Sequence, residues 1–373
     1  MRMKAAVLRE FGKPVTIEEV ELAPPKEKEV LVKTAYTGFC HSDLHFVTGK
    51  VNFGLPSVIG HEASGVVEAV GPGVTSVKKG DHVVPAWMVP CGSCPECASG
   101  QGYICRRSLE IFRKGVLPDM TSRLKDAKGA TLCHQIFVSG FAEYMVVPET
   151  GAIKIREDLP LDQACFLGCC LPTGFGGVYN AAGVKPGESV AIWGMGGVGL
   201  NVVRGAKLRS AYPIIGIDLE GSKEAIAREF GATHFINNSK QDPVPIVQEL
   251  TGGGAKYCFE VIGDPGAVTQ ASWALGLGGK LIQIGVTPPQ VMTPLPLSFF
   301  TSQCKSVVGA LYGMIRTQQD IPTFADMAMR GELMLDRLIT KMFKVEEIND
   351  VVEAMKSRQI IGRWVCDWGY KGS

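Results

Sequence analysis

Four cysteines fall within fifteen residues, in the run "CGSCPECASGQGYIC" that holds Cys91, Cys94, Cys97 and Cys105. Four thiolates so close together can wrap one tetrahedral Zn²⁺ with Zn–S bonds of about 2.3 Å. Gly92, Pro95, Gly100 and Gly102 let the loop curl around an ion. An iron–sulfur cluster is the rival, since ferredoxins also use C-x2-C-x2-C. There the fourth cysteine follows after about three residues and precedes proline. Here it follows after seven and precedes Arg106, which favours zinc. A closed four-thiolate set leaves no open position, so this site is expected to hold a lobe together and to do no chemistry.

A second group is more dispersed. "FCHSDLH", residues 39 to 45, packs a cysteine, two histidines, a serine and an aspartate into seven positions. Alone it reads equally well as a polar surface turn. Partners occur downstream: His61 and Glu62 in "GHEASGVVEAVG", and Cys169 and Cys170 in "FLGCCLPTGFG". A catalytic zinc takes about three protein ligands and keeps one place for water or substrate. Cys40, His61 and one of the paired cysteines would serve.

A third signal is "SVAIWGMGGVGL", residues 189 to 200. Gly194, Gly196 and Gly199 fit G-x-G-x-x-G, with Gly197 and Val198 inside the motif. A short apolar strand precedes it and a helix can follow. The glycines permit the turn, the close approach of backbone to a pyrophosphate, and tight helix–strand packing. The helix N-terminus supplies unpaired N–H donors. Asp218 ends the next apolar run, 24 residues past the first glycine. A carboxylate there accepts hydrogen bonds from ribose hydroxyls and repels a 2′-phosphate. Leu219 and Glu220 follow rather than arginine, so NAD is favoured over NADP. Lys223 is placed near the adenosine ribose, although an exposed helix-start lysine fits the sequence as well.

These groups need elements to position them. A chain of 373 residues exceeds one ordinary core, so two domains are expected. "AKYCFEVIG", "GGKLIQIGV" and "CKSVVGALYG" read as further strands and "PGAVTQASWALG" as a helix between them. With the glycine motif they predict a doubly wound parallel sheet over residues 171–311. Residues 1–170 are β-rich, with runs such as "EVLVKTAYTGFC" and "GDHVVPAW" between glycine and proline turns. Residues 312–373 hold helical stretches near 318–330 and 345–357 and a strand "GRWVCDW", and are expected to return to the first domain. A net charge of +1 gives no basic excess for nucleic acid, and no run of about 18 apolar residues could span a bilayer. Charges interrupt the apolar stretches at the start and no cleavage pattern follows, so the expected compartment is the cytoplasm. Cys133, Cys165, Cys258, Cys304 and Cys366 are expected to be buried thiols.

In order along the chain, "FCHSDLH", "GHEASGVVEAVG", the four-cysteine loop, "GCCLPTG", "GMGGVG" and "GRWV" resemble the zinc-dependent alcohol dehydrogenases of the medium-chain dehydrogenase/reductase superfamily. The resemblance covers essentially the whole chain. It implies a β-rich GroES-like catalytic domain beside the Rossmann domain, two Zn²⁺ per chain and NAD. It places the catalytic zinc on Cys40, His61 and Cys169. Asp43 then resembles the acid that orients the ligand histidine, and Glu62 the carboxylate behind the metal. Ser42 and His45 resemble the proton relay, and an imidazole with a pKa of about 6.5 passes protons at neutral pH. The resemblance also assigns His41, Thr173, Val286 and Arg363 to the cofactor and Trp87 to the substrate channel. It implies a homodimer or homotetramer acting on a small alcohol or aldehyde.

Three readings follow. The first is NAD-linked, reversible oxidation of a primary, allylic or aromatic alcohol. The second is a formaldehyde dehydrogenase acting on a thiol adduct, for which Arg106, Arg107, Arg113 and Lys114 offer basic groups. The third is a binding protein that kept the fold and lost the chemistry, which the intact Cys40, His61, Cys169, Ser42 and His45 argue against. The segment 106–136 is expected to be an extended loop over the substrate cleft.

Overall fold

The computed structural model describes residues 1–370. The chain forms two compact units, Met1–Cys169 together with the segment from Arg316 onward, and Cys170–Ile315.

The first unit is built on two β-structures. Strands Arg2–Leu8, Thr16–Leu22, Leu124–Asp126, Thr131–His134 and Ser57–Val58 close into a small barrel. A seven-stranded sheet runs Ala152–Lys154, His82–Pro85, Glu62–Val70, Glu29–Gly38, Arg363–Asp367, Ile339–Phe343, with Tyr144–Pro148 also paired to Glu29–Gly38. Strand Glu29–Gly38 lies between two cores. Val30 and Val32 pack with Ala63, Val67 and Met145, while Leu31 packs with Met3, Val7 and Val20. Alternation of side chains across a strand puts neighbours on opposite faces. This explains why the run is apolar without a clean polar alternation.

The C-terminal strand Arg363–Asp367 pairs antiparallel with Glu29–Gly38, Val365 opposite Gly38 and Cys366 opposite Thr37. It returns to the first unit and brings Arg363 alongside the end of that strand. Helix Ile348–Lys356 buries Ile348, Val351, Val352 and Met355, a spacing that makes one apolar face. These residues share a core with Phe39, Leu44 and Phe46.

Segment 106–136 differs from an extended loop. It contains helix Arg106–Ile111 and two of the five barrel strands. Its anchor is Arg123, 2 % exposed, whose Nε donates to Glu29 Oε2 at 2.8 Å and whose Nη2 donates to Asp119 Oδ2 at 2.7 Å.

The second unit carries a six-stranded, wholly parallel sheet in the order His234–Asn237, Ile214–Asp218, Val190–Trp193, Ala255–Glu260, Leu275–Gln283, Ser306–Gly309. Numbered along the chain this is 3-2-1-4-5-6, the doubly wound order whose reversal beside the first strand opens a ligand crevice. Helix Pro265–Trp273 starts with proline at its first position, and Asp264 accepts the Ala267 N–H at 2.9 Å. Leu275 and Gly276, which continue the apolar pattern of that helix, belong instead to the next strand. Cys304 is exposed, against the expectation of a buried thiol; Cys165, Cys258 and Cys366 are buried and Cys133 is half-buried.

Candidate metal and cofactor sites

Cys40, His61 and Cys169 converge in the first unit. Their ligand atoms lie within 4.8 Å of one another, and all three side chains are buried. Each arrives by a different local device. Cys40 caps the seven-residue helix His41–Val47, directly after strand Glu29–Gly38. His61 follows Gly60, at φ +102, where a Cβ would lie 2.6 Å from the Phe141 backbone nitrogen. Only glycine suits that close, left-handed position. Cys169 closes the short 3₁₀ turn Cys165–Gly168.

Asp43 ties two of these groups together. Its Oδ1 faces His61 Nδ1 at 2.8 Å and its Oδ2 accepts the Cys40 N–H at 2.9 Å. A proton on Nδ1 leaves Nε2 as the donor available to a metal. Burial disfavours a charged His61, but Asp43 outweighs it and raises the imidazole well above its usual range. Cys40 is held well below the ordinary thiol range. A hydrogen bond from Cys169 is the largest cause, and Arg363 and His61 add to it against burial. The thiolate is the form that binds metal.

Arg363 is 4 % exposed, with Nη2 3.5 Å from Cys40 Sγ and Nε 3.2 Å from Glu62 Oε1. The arginine assigned from sequence to the cofactor therefore sits against a metal-site thiol. Burial raises Glu62 to about 7, with Arg363 pulling the other way. Gly38 makes room for Glu62, because a Cβ there would stand 2.6 Å from Oε1.

Helix His41–Val47 also carries Ser42 and His45, three positions apart and so on one face. The ring of exposed His41 meets that of His45 edge-on at 4.8 Å. His45 departs from ordinary imidazole behaviour. It is 7 % exposed, and burial, with help from His41 and Lys50, lowers it to about 4. It is neutral throughout the neutral range. Trp87 is half-buried and packs on the core that contains Phe39, Leu44 and Phe46, as does Phe112.

The four-cysteine loop is also assembled. Cys91, Cys94, Cys97 and Cys105 have their sulfurs within 4.8 Å of one another, and Cys94 and Cys105 are 3.8 Å apart. Tetrahedral geometry with 2.3 Å bonds requires sulfur–sulfur edges of about 3.8 Å, so the set fits zinc. The N–H groups of Cys91 and Cys94 point at the sulfurs of Cys105 and Cys91, each at 3.4 Å. The buried trio fits a metal for a different reason: two sulfurs and one oriented imidazole nitrogen are soft and borderline donors suited to zinc, and three donors leave a position open.

In the second unit the three motif glycines do three jobs. Gly194 has φ +103, and a Cβ on Gly199 would stand 1.7 Å from the Gly194 carbonyl oxygen. Gly196 faces open space, with nothing within 4 Å of an added Cβ. That is a cradle a phosphate can approach. Gly197 and Val198 begin helix Gly197–Leu208, whose first N–H groups have no intrahelical acceptor. Asp218 ends its strand with its carboxylate accepting the Met195 N–H at 2.7 Å and Lys223 Nζ at 3.0 Å. Lys223 is thus the ion-pair partner of Asp218. Thr173 is 8 % exposed and its Oγ1 has no hydrogen-bond partner among the described residues. Its helix, Cys170–Gly176, lies on the glycine loop: a Cβ on Gly174 would be 2.3 Å from the Val198 oxygen. Val286 is 47 % exposed and its backbone lies against Gly263. Sequence reasoning missed Gln135, whose amide reaches Asp43 Oδ1 at 3.0 Å. Nothing local marks it, since its contact lies 92 positions away.

Residues 26–157 match the model of the alcohol dehydrogenase GroES-like domain, and 197–330 that of the zinc-binding dehydrogenase domain. The chain is 39 % identical to an alcohol dehydrogenase class-3 of Cereibacter sphaeroides, over 97 % of this chain and 98 % of that one. It is 38 % identical to an S-(hydroxymethyl)glutathione dehydrogenase of Paracoccus denitrificans, with 97 % and 98 % covered. Among solved structures it is similar to benzyl alcohol dehydrogenase of Acinetobacter calcoaceticus, at 32 % identity and TM-score 0.91, covering 98 % of this chain and 99 % of that one.

Proposed function

Since this chain belongs to the zinc-dependent, NAD-linked alcohol dehydrogenases of the medium-chain superfamily, we propose that it oxidises a primary aromatic or allylic alcohol to the aldehyde, reversibly. The observation that carries the reading is the buried trio Cys40, His61 and Cys169, of which Cys40 caps the helix whose Leu44 and Phe46 belong to the core on which the half-buried Trp87 and Phe112 pack. An aromatic flank offers offset or edge-on stacking to an aryl or vinyl group.

Bound zinc supplies Lewis acidity that lowers the pKa of an alcohol hydroxyl, and bound NAD supplies the acceptor for the hydride. The residues of the chain do the rest. Cys40 and Cys169 offset the charge of a divalent ion. Asp43 keeps the proton on His61 Nδ1, so that Nε2 points inward. Arg363 holds Glu62 and the Cys40 sulfur in place. Ser42 receives the proton lost from the substrate and His45 passes it outward. Gly194, Gly196, Gly197, Val198 and Gly199 bind the cofactor's pyrophosphate. Asp218 takes the ribose hydroxyls, Lys223 supports it, and Thr173 and Val286 line the nicotinamide end. Cys91, Cys94, Cys97 and Cys105 hold the second, structural zinc.

The named curated relatives favour a second reading, oxidation of a hydroxymethyl–thiol adduct. Such a substrate carries carboxylates that need free cations. Arg106 is paired with Glu96 at 2.6 Å and Arg113 lies over the Phe112 ring at 5.5 Å, which leaves the exposed Arg107 and Lys114 as the cations for such carboxylates. NADH formation on a panel of benzyl, allyl and alkyl alcohols, and on formaldehyde with and without glutathione, separates the two. Preference for benzyl alcohol supports the first reading; strict dependence on the thiol replaces it with the second.

Assembly as a homodimer or homotetramer is part of this proposal. Strand Ser306–Gly309 ends the parallel sheet, and exposed apolar side chains occur close by in sequence at Met292, Leu297, Phe299 and Val307. A paired strand edge would cover such a surface. Light scattering on the purified protein tests it. The cytoplasm suits a chain whose two metal sites need reduced thiols. Among the described residues no helix is long and apolar enough to cross a membrane.

A further inference from the structure

Gln135 is completely buried, and its side chain spans two groups that flank His61. Its Oε1 accepts the N–H of Gly60, the residue before His61. That bond fixes which end of the amide is which, so Nε2 is the end that faces Asp43 Oδ1 at 3.0 Å. The same Oδ1 meets His61 Nδ1 at 2.8 Å, and Oδ2 takes the Cys40 N–H at 2.9 Å. Asp43 therefore has three donors, and only Gln135 comes from outside the two segments that bear Cys40 and His61.

Gln135 is itself held firmly. Its N–H reaches Ser139 Oγ at 3.2 Å and its carbonyl accepts the Val138 N–H at 3.0 Å. Ile136, Phe137 and Ser139 have φ of 39°, 65° and 59°. Left-handed backbone at non-glycine residues persists where the surroundings over-determine it, and such sites cluster where geometry serves function.

We propose that Gln135 is a positioning residue for the Cys40–His61–Cys169 centre. Its amide stops the Asp43 carboxylate from rotating. This keeps the His61 proton on Nδ1, the ring plane fixed and Nε2 aimed at the metal, and so slows metal loss. The proposal rests on the reading of that trio as a metal site. Outer partners of ligating histidines are worth about 10–100-fold in metal affinity. Gln135 acts through Asp43, so the lower end, about 10-fold, is expected.

The test is zinc release from the zinc-loaded full chain into excess chromogenic chelator, followed in time, with wild type, Gln135→Glu and Gln135→Met compared. Gln135→Met loses both bonds; Gln135→Glu keeps the acceptor for Gly60 and replaces the neutral amide donor by a carboxyl that repels Asp43 or shares its proton. Both variants should release the first zinc about 10-fold faster and the four-cysteine zinc at the wild-type rate. The visible ligand-field bands of the cobalt-substituted protein should shift as well. Wild-type rates with a wild-type cobalt spectrum would overturn the proposal. Equal acceleration of both zinc ions would also overturn it, because that marks general loosening. If either variant fails to fold, Ser139→Ala, which removes the Oγ acceptor of the Gln135 N–H and leaves it the Val58 oxygen at 3.3 Å, should accelerate the same phase more weakly, and no change would count against the proposal. Failure of the metal-site reading itself looks different: wild type would yield a single zinc, unaffected by Cys40→Ser.

Discussion

His45→Gln removes the outer imidazole of the proposed proton path while keeping a polar side chain of similar length. An ordinary histidine titrates near 6.5, whereas burial and the neighbouring His41 and Lys50 hold His45 at about 4. The difference makes this imidazole a weaker base. With a Brønsted slope near one half, 2.5 units of lost basicity cost roughly 20-fold of the usual 10²–10⁴-fold contribution of general-base help. The expected loss in kcat for alcohol oxidation is therefore about 5- to 500-fold, smaller if water substitutes. The position of the inflection is a sharper test. His45 should protonate near pH 4, so its protonation should leave no inflection between pH 6 and 7. The assay is the pH dependence of kcat for protonated and α-deuterated benzyl alcohol, in both proteins, with and without added imidazole. Imidazole should restore part of the rate in the variant. A wild-type inflection near 6.5 that disappears in His45→Gln would refute the reasoning, because it would show an ordinary, solvated imidazole. The isotope effect shows whether hydride transfer or a later step limits turnover, and hence whether an unchanged rate carries information.

Asp218→Gly should weaken NAD and admit NADP, because it removes the ribose acceptor and frees Lys223, now 3.0 Å from the carboxylate, to meet a 2′-phosphate; kcat/KM for both cofactors checks it, and a wild type that already prefers NADP contradicts it. Cys97→Ser should remove one zinc and lower the melting temperature while the trio keeps its ion, as read by metal analysis and calorimetry. Acid should destabilise the fold through two buried imidazoles. His45 is lowered to about 4, and His134, through burial and the charge of Arg123, to about 3. Both are neutral when folded but titrate near 6.5 when unfolded, so their stability is complete above pH 6.5 and drains away as pH falls toward 4 and 3. Each costs about 2 kcal/mol between pH 7 and 5, while Glu62, raised to about 7, works in the opposite direction, so the test is the difference between proteins: the loss of urea stability from pH 7 to 5 should be about 2 kcal/mol smaller in His134→Gln than in wild type.

Much of the site was legible because it is written locally. The cysteine spacing and the glycine motif each specify chemistry within a few residues, whereas the run from Cys40 to His45 reads as a site only beside His61 and Cys169 further along the chain. Five strands of the doubly wound sheet were legible locally as well, as short apolar runs, while the sixth, His234–Asn237, has only four residues and no such run. What escaped depends on distant partners. "LKD" and "TLCH" are barrel strands of three and four residues, too short to show alternation, and barrel closure supplies their pairing. Helix His41–Val47 has only seven residues, and its start is marked by Asp43 reaching back to the Cys40 N–H rather than by periodicity. Gln135 and the inward turn of Arg363 come from contacts 92 and 323 positions away. The low basicity of His45 is a matter of burial, which a polar residue on a short helix does not advertise.

The central claim is that the ion held by Cys40, His61 and Cys169 carries the chemistry, while the four-cysteine ion carries only structure. The direct measurement is zinc content and NADH formation on one sample as a mild chelator is added. The account predicts two zinc ions per active chain at the start. Activity should fall to zero in step with loss of the first ion, while the second remains and the fold stays intact by circular dichroism. Full activity with only one zinc left per chain, or activity that follows loss of the second ion, would contradict it.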